Sequence, residues 1–155
     1  MTLFSTFQNQ VLAALSRHGI KYIIVGGVAT IFHGVMRSTG DLDLLVQATT
    51  NNGEKILNAF KELNLETEDI TKSDFEGELF LSFGFEPDAI DLMTFTPGIN
   101  FEMSYSRAEK IEGSDIRVAS LEDLIANKES LNREGSKEHL DKFDIEELKK
   151  IKRAK

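Results

Sequence analysis

Asp41-Leu42-Asp43 heads the apolar run Leu44-Leu45-Val46. On an extended strand, residues i and i+2 point to one face, so both carboxylates project together while Leu42 and Leu44 project to the other. Two like charges side by side repel unless a cation sits between them. Hard divalent cations take oxygen ligands, and Mg²⁺ typically accepts one or two carboxylates together with substrate phosphate. Asp91, in Ala89-Ile90-Asp91-Leu92-Met93, is a lone acid inside a second apolar run, where aspartate is a poor strand former. If the two strands are neighbours, three carboxylates converge on one face. Such a cluster can hold two metal ions about 4 Å apart and stabilise an in-line phosphoryl displacement.

The complementary half of such a site is Gly26-Gly27, with thirteen residues between it and Asp41. Two glycines between a strand and a helix allow close backbone approach, and free amides at a helix start attract anions. A triphosphate held there would also meet the metals. Arg37, in Arg37-Ser38-Thr39-Gly40-Asp41, is near enough in sequence to contact the phosphates or the acids. Each feature alone also has a plainer reading. The glycines make a turn, Asp-Leu-Asp is a solvated face, and Asp91 is a helix cap or an ion-pair partner. Lys128 and Arg133, taken alone, read as charges on a helix surface. His33 reads as a helix-end or loop residue, and His18 and His139 as surface positions.

Other site types fail on spacing. No further glycines follow Gly26-Gly27 in a dinucleotide fingerprint, and there is no Gly-Lys-Ser/Thr phosphate loop. A calcium loop starting at Asp41 would put Leu45 and Val46 where an oxygen ligand and a glycine are needed.

The elements that would position these residues follow from pattern. Phe4, Val11, Leu12, Leu15 and Ile20 predict an amphipathic helix over about 3–17, ended by His18-Gly19. Lys21 to Val25 is a buried strand, Val28 to His33 a short helix, and Asp41 to Val46 a second strand. Thr49 to Gly53 reads as a turn before a helix over Glu54 to Leu63. Glu78 to Phe85 and Ala89 to Phe95 form a hairpin across Glu86-Pro87-Asp88, and a smaller hairpin spans Lys110 to Val118. Ser120, three residues ahead of Asp123, caps a helix running to about Leu131. A last helix starts near Ser136, with Leu140, Phe143, Leu148 and Ile151 on its apolar side. This order indicates one mixed α/β domain over residues 1–155, its core at about 12–95 and its C-terminal hairpin and helices at about 108–155.

Composition narrows the partners. The 155 residues are 41% hydrophobic and 28% charged, an ordinary globular balance. Without cysteine there is no thiol nucleophile, disulfide or cysteine-held metal, which fits a cytoplasmic setting. Net charge is −8, and five of the 18 basic residues lie in Lys149 to Lys155. The remainder carries 13 basic against 26 acidic residues, a body that repels a nucleic-acid backbone. The basic tail reads as a helix end complementing its dipole. No apolar run reaches the ~18 residues of a membrane span, and no signal-peptide pattern opens the chain.

Val25-Gly26-Gly27-Val28-Ala29, Arg37-Ser38-Thr39-Gly40-Asp41-Leu42-Asp43-Leu44 and Asp91 together resemble the DNA polymerase β-like nucleotidyltransferase superfamily, and within it the small AbiEii-type proteins. The likeness covers about 12–95. It extends more loosely to Lys128, Arg133 and Asp141-Lys142-Phe143-Asp144-Ile145. It implies a nucleotidyltransferase fold and transfer of a nucleoside monophosphate from an NTP to an acceptor hydroxyl, with Mg²⁺ or Mn²⁺. Asp41 and Asp43 would hold metal, and Asp91 would be the third ligand or the base for the acceptor. Gly26 and Gly27 would cradle the triphosphate, with Arg37, Thr39 and Lys128 as further nucleotide contacts. The superfamily usually has Gly-Ser where this chain has Gly26-Gly27, so a hydroxyl contact to phosphate is missing; AbiEii-type members share Gly-Gly. Only about 60 residues follow Phe95, which implies a small acceptor pocket or one completed by another subunit. The acceptor is then a small molecule, a protein or an RNA end. The alternative is a non-catalytic component of a toxin–antitoxin-like system acting through a protein partner, or as a homodimer.

Overall fold

The computed structural model describes residues 3–155. Helix α1 (Thr6–Arg17) buries Val11, Leu12, Ala14 and Leu15 at helical spacing. Its start is fixed by a reciprocal cap: the Gln8 amide donates to Ser5 Oγ, and the Ser5 amide donates to Gln8 Oε1. The side-chain amide of the same Gln8 donates to the Ala89 carbonyl at 3.1 Å, tying the helix to the strand that carries Asp91.

Strand β1 (Tyr22–Val25) is buried throughout, as its unbroken apolar run requires. Helix α2 (Gly26–Phe32) follows without a linker, and β2 (Asp41–Val46) has the predicted bounds. Next come α3 (Thr50–Glu62), a 3₁₀ turn (Lys72–Glu76), β3 (Phe80–Phe83) and β4 (Ala89–Met93). The C-terminal part comprises α4 (Phe101–Arg107), β5 (Glu109–Lys110), β6 (Arg117–Val118), α5 (Leu121–Ser130) and α6 (Ser136–Ala154).

All six strands join one mixed sheet in the order β3-β4-β2-β1-β6-β5. The central pairs are β1 with β2, antiparallel, and β2 with β4, parallel; β6 adds to β1 in parallel. Leu42, Leu44, Ile90 and Leu92 all point into the main core with α1 and α3. Asn52 locks one end of the central pair, accepting from the Lys21 amide and donating to the Lys21 and Gln47 carbonyls. Among the described residues, no helix is long and apolar enough to cross a membrane.

Four elements depart from the pattern reading. Helix α2 begins at Gly26, so the glycine pair forms its first turn instead of preceding it. Helix α3 begins at Thr50, because Thr49 caps it by accepting from the Asn52 amide, and Gly53 lies inside it against Phe75. Helix α4 was not foreseen: seven residues carry too little periodicity, yet Asn100 caps it, and Phe101 and Tyr105 pack on the second face of the sheet. On α6 the buried stripe is Asp141, Asp144 and Leu148, while Leu140 and Phe143 remain exposed.

Candidate active site

The register of β2 against β4 sets Asp43 directly beside Asp91, with Asp41 one same-face position away. Carboxylate oxygens of Asp41, Asp43 and Asp91 lie within 4.8 Å of one another. On the far side of β4, Ser82 of β3 stands opposite Asp91, and its hydroxyl donates to Asp91 Oδ1 at 2.6 Å. That bond holds one oxygen of the Asp91 carboxylate, whose other close neighbour is the carboxylate of Asp41.

The glycine pair is shaped around the acids and the loop before them. A β-carbon on residue 26 would collide with the Asp43 carboxylate, and Gly26 has φ 71°, a backbone state that L side chains rarely adopt. A β-carbon on residue 27 would fall 2.5 Å from Thr39 Oγ1 and 3.2 Å from Arg37 Nη1.

Burial and crowding raise the proton affinity of Asp43 and Asp41. Burial first, then the charges of Asp41 and Asp91, pushes Asp43 up to about 8, against the pull of Lys128 and Arg133. Asp41 is raised as well, by burial, by its contact with Asp91, and by Glu86. A divalent cation among them would replace this repulsion with attraction, and three hard oxygens suit Mg²⁺ or Mn²⁺.

A wall of cations faces the acids. Lys128 is not the surface charge that its helix position suggested: it is only 3% exposed, and its Nζ donates to Asp144 Oδ2 at 2.9 Å. Asp144 also receives Arg37 through Nε at 2.9 Å and Nη2 at 3.2 Å. Arg133, just beyond α5, grips Asp141 with two parallel hydrogen bonds.

Between acids and cations runs a cleft of about 750 Å³. All eight candidates named from sequence line it: Gly26, Gly27, Arg37, Thr39, Asp41, Asp43, Asp91 and Lys128. Arg133, Glu86, Phe80 and Leu140 line it too. Of these, Glu86 lies against Gly40 beside Asp41. Phe80 and Leu140 give the mouth an apolar side. Asp144 falls within the sequence likeness, in Asp141 to Ile145, but receives no task from it. Its signal was the spacing Asp141, Asp144, Leu148, which puts two acids on a core-facing stripe.

No family model matches the sequence, and no curated protein does. Among solved structures the chain is similar to the crystal structure of ANT(2")-Ia in complex with adenylyl-2"-tobramycin. The TM-score is 0.50 at 14% sequence identity, over 94% of this chain and 92% of that one. The six helices and mixed six-stranded sheet thus make up a nucleotidyltransferase fold.

Proposed function

We propose that the protein transfers a nucleoside monophosphate from an NTP to an acceptor hydroxyl. The observation that carries this reading is the convergence of Asp41, Asp43 and Asp91 beside Gly26 and Gly27, opposite Arg37 and Lys128, in one cleft. Asp41 and Asp43 would hold Mg²⁺ or Mn²⁺, with Asp91 as a third ligand or as the base for the acceptor. The metal, when bound, would neutralise phosphate charge and polarise the phosphoryl group.

The chain's own residues have separate tasks. Gly26 and Gly27 leave room for the triphosphate, and Arg37, Thr39, Lys128 and Arg133 face its charge. The acceptor oxygen forms a bond to the α-phosphorus as the bond to the bridging oxygen breaks, releasing pyrophosphate. As the base, Asp91 would take the acceptor's proton on its carboxylate, while Ser82 holds Oδ1 and so restrains that carboxylate from turning. Phe80 and Leu140 line the mouth where the acceptor enters.

Titration calorimetry of ATP, CTP, GTP and UTP with Mg²⁺ tests the reading. Wild type should bind at least one of them, and the Asp41→Ala/Asp43→Ala variant none; a wild type that binds no NTP with metal sinks it. Acceptors are then screened with labelled NTP. Tobramycin is included because the similar structure carries its adenylyl product, alongside RNA ends and proteins.

A second reading, a component acting through a protein partner in a toxin–antitoxin-like pair, is favoured by Met36 and Phe85. These large apolar side chains are 93% and 89% exposed. A stable complex whose activity survives loss of Asp41 and Asp43 would favour it over transfer chemistry.

A further inference from the structure

Asp144 is the most deeply buried ionisable group beside the cleft, at 0% exposure, and the chemistry proposed above leaves it without a task. A carboxylate in that position costs desolvation, and a buried ion pair is by itself weak support for stability, since apolar residues of similar volume often serve as well. What distinguishes Asp144 is the identity of its partners. It receives two bonds from Arg37, at the end of the loop before β2, and one from Lys128 of α5, while itself sitting on α6. Three elements distant in sequence are thereby joined at one carboxylate, and both of its cations line the cleft.

The donor inventory shows what this leaves available. Arg37 has five N–H groups, of which two go to Asp144 and one to the Ser38 carbonyl. Lys128 has three, of which one goes to Asp144, while its Nζ also pairs at 4.0 Å, beyond hydrogen-bond distance, with Asp141. Two donors on each cation therefore remain for a ligand. Long cationic side chains lose much rotamer freedom when they bind an anion, and a carboxylate behind them removes that loss in advance.

We propose that Asp144 is a positioning residue for triphosphate binding, fixing Arg37 and Lys128 from behind so that their remaining donors meet the phosphates. The inference rests on the NTP reading of the site, and it adds a residue that touches neither nucleotide nor metal.

The test is calorimetric binding of magnesium tripolyphosphate, with circular dichroism as the check on folding. Asp144→Asn keeps the shape and removes the charge. It is expected to weaken tripolyphosphate binding at least about tenfold while leaving the Mg²⁺ affinity of the aspartates unchanged, and Asp144→Glu should recover part of the loss. Should Asp144→Asn fail to fold, Lys128→Met is compared with Lys128→Met/Asp144→Leu, which replaces the ion pair with apolar volume. Loss of the Arg37 anchor should make the double variant the weaker binder. A folded Asp144→Asn that binds like wild type, or a double variant equal to Lys128→Met, overturns the positioning role alone. A wild type that binds neither tripolyphosphate nor any NTP with Mg²⁺ overturns the transfer reading and this inference with it. One that binds an NTP but not tripolyphosphate overturns this inference alone.

Discussion

Asp43 and Gly26 compete for one volume: the carboxylate of Asp43 stands where a β-carbon on residue 26 would be. The two residues meet because Val25, the last residue of β1 and the one before Gly26, pairs with Asp43 of β2. A glycine there serves the acid directly, by letting the carboxylate fold over the start of α2. Gly26→Ala therefore meets two penalties, a steric one from Asp43 and about 1–2 kcal/mol from the positive φ. The variant should melt at lower temperature than wild type and lose its stabilisation by Mg²⁺, as read by thermal unfolding with and without metal. Gly27→Ala should be milder, because residue 27 has no positive φ. Its β-carbon would still press on Thr39 at Oγ1 and at Cβ, the latter at 2.9 Å and not moved by side-chain rotation.

Gly53 makes a similar demand far from the site. In the first turn of α3, alanine would ordinarily gain up to about 1 kcal/mol of helix propensity over glycine. Here a β-carbon would lie 2.5 Å from the buried Phe75 ring and 2.8 Å from the Lys72 carbonyl oxygen. Neither neighbour can move cheaply, and overpacking typically costs about 1–3 kcal/mol. The steric term wins, so Gly53→Ala should destabilise the protein in chemical denaturation. A stabilised variant would show that the 3₁₀ turn yields easily.

These two glycines also mark how far the sequence could be read. Strand β2 was legible to the residue, because Asp-Leu-Asp-Leu alternates and Leu42 and Leu44 must be buried. Its partnership with β4 was legible only as a condition, since register is a tertiary property; the structure meets it by pairing Asp43 with Asp91. Gly26 and Gly53 shift the helix boundaries because glycine reads as a breaker in sequence, whereas one starts α2 and the other lies in the first turn of α3, each to admit a neighbour. The cation wall was hidden for the opposite reason. Pattern reading ranks leucine and phenylalanine as inward-facing, so α6 was rotated towards Leu140 and Phe143. Ion pairs from Lys128, Arg37 and Arg133 instead turn Asp141 and Asp144 inward.

Asp91 is held by a short hydroxyl bond, from Ser82 at 2.6 Å, whereas the Thr39 hydroxyl reaches Asp41 only at 3.5 Å. This firmer hold lets binding be separated from chemistry at Asp91. Asp91→Asn keeps a group able to accept from Ser82 but removes the proton acceptor. Once an acceptor is found, NTP binding should fall modestly while the transfer rate drops by about 10²–10⁴-fold, the range for a lost general base. Ser82→Ala, which only releases the carboxylate, should cost less in rate. Equal losses in binding and rate for Asp91→Asn would assign the residue to metal holding alone.

The acid cluster also dictates how the metal-free protein responds to pH. Asp43 is pushed up to about 8, chiefly by burial and then by Asp41 and Asp91, whereas an aspartate in the unfolded chain titrates at about 3.9. Between those values the folded state keeps a proton that the unfolded state has released. The folded state binds more protons there, so this site's contribution to stability falls as pH rises through the window. Asp43→Asn removes the titration. Its metal-free melting temperature should exceed that of wild type by about 3 °C or more at pH 8, and the gap should narrow on acidification towards pH 5. Saturating Mg²⁺ should reverse the order, because metal binding requires the deprotonated carboxylate and only wild type supplies it. A metal-free wild type and Asp43→Asn that melt in parallel from pH 5 to 8 would mean that the acids do not crowd one another as their positions dictate.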